Sequence, residues 1–118
     1  MYTLVFDTET TGLPTMKRFN VYHEPSLVNY YKNSRIIELA YIIYDEEGNC
    51  VKTESNLVKP NNFIIENSHI HGITQENAVE NGKDIESVIQ LMNNDLTNVD
   101  TIVAHNIDFD INILLSEC

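Results

Sequence analysis

Positive charge is what this chain has least of. Seven Lys and Arg stand against 18 Asp and Glu, a formal net charge of −11 over 118 residues. That balance does not grip a polyanion through charge alone, so any nucleic-acid role has to recruit cations. Cysteine is scarce as well: Cys50 and Cys118 make neither a disulfide framework nor a zinc pattern, and no Asn-x-Ser/Thr acceptor occurs. A reducing, intracellular compartment is expected, with cytoplasm and nucleus indistinguishable. No apolar run approaches membrane-spanning length, and Met1-Tyr2-Thr3-Leu4-Val5-Phe6-Asp7 has no basic leader region. The chain therefore reads as soluble and without a membrane partner. Its 42% hydrophobic content suits one modest core, so residues 1–118 are read as a single domain.

The stretch around which the rest is organised is Leu4-Val5-Phe6-Asp7-Thr8-Glu9-Thr10-Thr11-Gly12-Leu13, an apolar run ending in two acids two residues apart. As a strand it puts both carboxylates on one face. Phe6 and the aliphatics before it pull the segment into a core, so two acids at its exit call for a compensating cation. A plain solvated turn accounts for Asp7 and Glu9 equally well at this level.

Residues 14 to 34 lack sustained periodicity and carry two prolines, which reads as an enlarged loop with one helical turn. Lys17, Arg18 and Lys32 alternate there with Phe19, Tyr22, Tyr30 and Tyr31. That mixture suits stacking on bases while contacting phosphates. A surface flap whose aromatics pack on the core is the reading we favour, because the tyrosines form no stripe. Residues 35 to 45 are nearly continuous in apolar residues and are expected to form a central strand buried on both faces. Glu38 is the odd residue within it; pairing with Arg35 is favoured over lining a site. Glu46-Glu47-Gly48-Asn49 supplies a turn, and residues 50 to 59 alternate as a half-exposed strand ending at Pro60, so the two strands form a hairpin.

Residues 64 to 74 read as a short helix closed by Gly72, with Thr74 capping the next turn. His69 and His71, two apart, diverge on a helix and make a poor metal pair. Asp84 is expected to cap a helix whose apolar positions Ile85, Val88, Ile89, Met92 and Leu96 follow helical spacing. Thr101 to Ala104 is a short strand, followed by a loop that turns into a helix through Leu115. Asp108-x-Asp110-x-Asn112 is not a calcium loop, since Ile113 stands where the sharp turn needs Gly.

Three wordings carry a resemblance: Phe6-Asp7-Thr8-Glu9-Thr10-Thr11-Gly12-Leu13, His71-Gly72-Ile73-Thr74, and Ala104-His105-Asn106 followed by Phe109-Asp110. They resemble the DEDDh-type, DnaQ-like (proofreading-subunit-like) 3′→5′ exonucleases of the ribonuclease H-like superfamily. The resemblance implies an α/β fold: a mixed sheet with an antiparallel three-strand meander, then a parallel strand reached through helices. It implies that Asp7, Glu9 and Asp110 are catalytic and hold two Mg²⁺ or Mn²⁺ ions, with Asp108 at a variable position. Thr10 and Leu13 would contact and wedge a terminal nucleotide, and Asn106 would orient the substrate or brace its loop. The expected partner is nucleic acid with a free 3′ end, DNA ahead of RNA.

The family's third motif, a general-base His followed by a fourth Asp, has no counterpart after Asp110; His23, His69, His71 and His105 stand in other contexts. The sequence is thus read as a partial exonuclease domain, incomplete at its C-terminus and inactive or weak alone, whose remaining segment is to be supplied in trans. A non-catalytic nucleic-acid-binding or protein-interaction module that keeps the fold is the alternative. Two geometric expectations follow: the three acids converge at the end of the first strand, and the 14–34 loop sits beside them and is mobile.

Overall fold

The computed structural model describes residues 1–18, 21–60, 63–65, 72–104 and 106–117. Strand β1 (Thr3–Thr10) lies between β4 (Ile36–Tyr44), antiparallel to it, and β6 (Thr101–Val103), parallel to it; β5 (Cys50–Leu57) pairs antiparallel with β4. The sheet order is β5-β4-β1-β6, the meander plus parallel strand that the sequence leads one to expect. Alternation sorts the side chains. Leu4, Phe6, Leu39, Tyr41 and Ile43 are buried together with Val88, Met92 and Ile113. The other face of β4, through Glu38, Ala40, Ile42 and Tyr44, is half-buried, so the strand is central without being buried on both faces.

Helix α1 (Gln75–Asn81) is capped by Thr74, whose Oγ1 accepts the Asn77 N–H at 3.1 Å. Helix α2 (Ile85–Leu96) begins after Asp84 as expected, but the Asp84 side chain makes no capping hydrogen bond. Its stripe works as core packing: Val88 and Met92 are buried, and Ile85 and Leu96 pack beside them. Helix α3 (Ile107–Glu117) follows β6 and buries Asp110 and Ile113. Of the short helix expected near residues 64 to 74, residues 66 to 71, with His69 and His71, lie outside the described set, as do His105 and Cys118. Gly48, at φ 83, makes the β4–β5 turn, where Asp45 Oδ1 accepts the N–H groups of Glu47 and Asn49.

The 14–34 segment is more ordered than a loop. β2 (Met16–Arg18) pairs with β3 (Val21–Tyr22), and a 3₁₀ turn spans Val28–Tyr31. Strands of two and three residues give no periodicity to read, which is why the sequence conceals them. The packing reading of the aromatics holds for Tyr31, 2% exposed and part of the main core. No helix among the described residues is long and apolar enough to cross a membrane.

Candidate active site

The C-terminal end of β1 is where the chemistry-bearing residues collect. The strand is regular up to Glu9, and its register against β4 shifts between Glu9 and Thr10. Such an irregularity ends regular pairing and re-aims the following side chains. Asp7 is exposed and Glu9 half-buried, while Thr8 between them points the other way and is 7% exposed. Glu9 stands directly opposite Glu38 on β4. Opposed residues of an antiparallel pair share a face, so Asp7, Glu9 and Glu38 occupy one side of the sheet. Arg35 does not pair with Glu38, as the sequence reading favoured. Its Nε bonds Glu117 Oε1 at 2.8 Å, because α3 brings that carboxylate, 5% exposed, over the start of β4. The second oxygen of Glu117 accepts the Ile36 N–H at 3.1 Å.

Asp110 reaches the same strand from the opposite side. Its carboxylate, 3% exposed, accepts the Thr8 hydroxyl at 2.5 Å across 102 residues of sequence. Burial pushes the Asp110 carboxyl above the usual range; the Thr8 hydrogen bond pulls it partly back, and the neighbouring Asp7 charge pushes it up again. Helix α3 is therefore tied to the sheet at both ends, by Asp110 on β1 and by Glu117 on β4. These positions, seven apart, lie on one helical face. Asn106 Oδ1 accepts the Phe109 N–H at 3.4 Å at the helix start, so Asn106 braces the turn.

Asp7, Glu9 and Asp110 are thus neighbours along β1, yet they approach from opposite faces. Among the described residues no three His, Cys, Asp or Glu side chains gather where they could hold a metal ion. The donor chemistry suits a hard divalent cation: carboxylate oxygens only, with Glu9 and Glu38 opposed and Asp7 beside them. Thr10 Oγ1 donates to Gly12 O at 2.8 Å, shaping the turn. Leu13, 68% exposed, lines a cleft of about 540 Å³ with Thr11, Gly12, Lys32, Asn33, Phe63 and Ile64. The Arg35 guanidinium lies 4.7 Å from the centre of the Phe63 ring. Sequence reading passed over Thr8 and Glu117. Alternation was the signal for Thr8, which had to face the core between two outward acids, and seven-residue spacing from Asp110 was the signal for Glu117.

The exonuclease family model RNase_T matches residues 4–118, and the chain belongs to that family. Its fold is that of an RNase H-like exonuclease, and the match extends to solved structures. E. coli Exonuclease I in complex with a dT13 oligonucleotide superposes with a TM-score of 0.71 at 24% identity, covering 96% of this chain and 22% of that one. A moderately thermophilic Exonuclease I from Methylocaldum szegediense gives 0.71 at 23% identity, covering 95% and 22%. This chain therefore spans about a fifth of the length of those enzymes. No protein of curated function matches it.

Proposed function

We propose that this chain carries the acid half of a metal-dependent 3′→5′ exonuclease site. The observation that carries the reading is the Thr8–Asp110 hydrogen bond, which holds the second-motif acid against the strand bearing Asp7 and Glu9. In this reading Asp7, Glu9 and Asp110 hold Mg²⁺ or Mn²⁺, two ions in a complete domain. Bound divalent ions supply an activated water and offset the charge that develops on the departing 3′ oxygen. The protein's own part is positioning. β1 presents Asp7 and Glu9 on a rigid strand, α3 fixes Asp110, and Thr10 and Leu13 meet the terminal nucleotide, Leu13 from the cleft lining. Asn106 contributes by holding the start of α3. E. coli Exonuclease I, bound to dT13 and dA16 oligonucleotides, supports single-stranded DNA as the first substrate to try.

Turnover by residues 1–118 alone is proposed to be weak, since residues 111–118 contain neither the His nor the Asp of the family's third motif. A missing general base lowers a rate by about 10²–10⁴-fold. A non-catalytic binding module is favoured by one observation, that no three ligating side chains converge among the described residues. The test is Mn²⁺ binding followed by release of mononucleotides from a 3′-labelled strand, with and without a segment supplying the absent motif. The exonuclease reading expects Mn²⁺ binding that Asp7→Ala abolishes and turnover that appears only with the added segment. Mn²⁺ binding unchanged in Asp7→Ala would overturn it and leave the binding module.

A further inference from the structure

The charge of this chain is unevenly placed. Residues 14 to 35 hold four of its seven cations, Lys17, Arg18, Lys32 and Arg35, against one acid, Glu24: a net of +3. The remainder has three cations against seventeen acids, a net of −14. Among the described residues Arg35 is ion-paired with Glu117, whereas Lys17, Arg18 and Lys32 are exposed and form no ion pair.

That cationic segment is held beside both elements of the candidate site. Thr11 donates its N–H to Arg35 O at 2.9 Å and its hydroxyl to Asn33 O at 3.1 Å; Thr15 N–H bonds Tyr30 O at 2.8 Å. The two Thr11 bonds fasten the segment to the end of β1, and the Thr15–Tyr30 bond closes the segment on itself. On its other side the Tyr22 ring sits 6.2 Å from that of Phe109, the residue before Asp110 on α3. Lys32 lines the cleft with Thr11, Gly12 and Leu13. The His23 and Tyr30 rings stack at 3.6 Å and 9°, with Tyr30 38% exposed. Tyr31, anchored in the core, donates its hydroxyl to His23 O and fixes that pair.

We propose that the 14–35 segment is a clamp for single-stranded nucleic acid: Lys17, Arg18 and Lys32 hold backbone phosphates, and the His23–Tyr30 pair offers a stacking face to an unpaired base. It rests on the nuclease reading for its substrate and goes beyond it in naming the surface that binds. The physical need is plain. A chain at −11 repels a polyanion at long range, but charges within about a Debye length, roughly 8–10 Å, decide contact affinity. A stacked aromatic pair favours single strands, whose bases have free faces, over duplex.

The test is anisotropy of a labelled oligothymidylate in magnesium buffer across a salt series, with the full chain. Lys17→Ala/Arg18→Ala/Lys32→Ala is expected to weaken binding at least tenfold. It should also lower the log–log salt slope by about 2, each phosphate contact on a single strand contributing roughly 0.7. Tyr30→Ala should weaken binding roughly tenfold. The control Lys59→Ala/Lys83→Ala removes exposed cations outside the segment and should change little. Unchanged binding by the triple variant, or equal loss in the control, overturns the clamp. Mn²⁺ titration separates the two ideas. If Asp7→Ala loses Mn²⁺ while the clamp variants bind oligonucleotide like wild type, the clamp alone has failed. If Asp7→Ala keeps Mn²⁺, the nuclease site has failed whatever the clamp does.

Discussion

On β1, Leu4, Phe6 and Thr8 are buried against α2 and α3, while Val5, Asp7 and Glu9 are exposed or half-buried on the other face. Both sets come from one strand, and the difference between them is what each face has to satisfy. The packed face supplies apolar burial, at about 25 cal/mol per Å² of surface removed from water. Its one hydroxyl, Thr8, meets the buried carboxylate of Asp110. The outward face contributes little packing. Val5 leaves an apolar strip there with Ile42 and Val103 beside it in register, and Asp7, Glu9 and Glu38 follow it along the same face. The packed face sets whether the domain folds; the outward face carries the acids proposed to meet cations.

The sharpest way to break this division is a pair of adjacent substitutions. Phe6→Ala removes a ring that is 2% exposed. It should cost about 3–5 kcal/mol, a large fraction of the roughly 5–15 kcal/mol that holds a small domain together. Asp7→Ala, one residue on and facing out, should change stability by no more than about 0.5 kcal/mol. Chemical denaturation of both variants checks this, and comparable losses would collapse the distinction between the faces.

Thr8 is the point where the faces meet. Thr8→Val keeps the shape but leaves the buried Asp110 carboxylate without that donor, at a cost of about 1–3 kcal/mol, and Thr8→Ser should recover most of it. The sign of the pH dependence follows from the raised Asp110 carboxyl. A carboxyl whose folded value exceeds its unfolded 3.8 favours the fold when protonated, so stability falls as pH climbs from about 4 through the folded value. Removing the Thr8 donor raises the folded value further and extends that fall. The Thr8→Val deficit should therefore be small near pH 4 and grow toward neutrality. A deficit of constant size across that range would mean that the hydroxyl packs without supporting the charge.

The β4–β5 hairpin and the α2 stripe were legible because each is long enough for its period to show, whereas the strand order was legible only through the family resemblance. Asp110 was distinguished from Asp108 by its motif, and the structure separates them too, one buried and the other exposed. What could not be read was tertiary. Arg35 chose Glu117, 82 residues away, over Glu38 just inside the following strand, because only the docking of α3 brings that carboxylate near. The β2–β3 hairpin stayed hidden in strands too short to have a pattern. Convergence of the three acids was expected from motif roles, which do not say that Thr8 draws Asp110 to the packed face while Asp7 and Glu9 look the other way.

A charge substitution probes the outward face directly. Glu38 stands across from Glu9, and like charges directly opposite in an antiparallel pair are destabilising, with cross-strand pair terms of roughly 0.2–1 kcal/mol. Without divalent ions, Glu38→Gln should therefore stabilise the domain by an amount in that range, most clearly at low salt, where charge repulsion is least screened. Millimolar Mg²⁺ should shrink the gain, because a cation near Asp7 and Glu9 relieves in the wild type the repulsion that the substitution removes. Thermal melts of both proteins with Mg²⁺ and with chelator measure the effect. A Glu38→Gln gain that is equal with and without the ion would place the cation away from this face. A loss of stability would show that Glu38 is held by a favourable contact and that the outward acids are not in mutual repulsion.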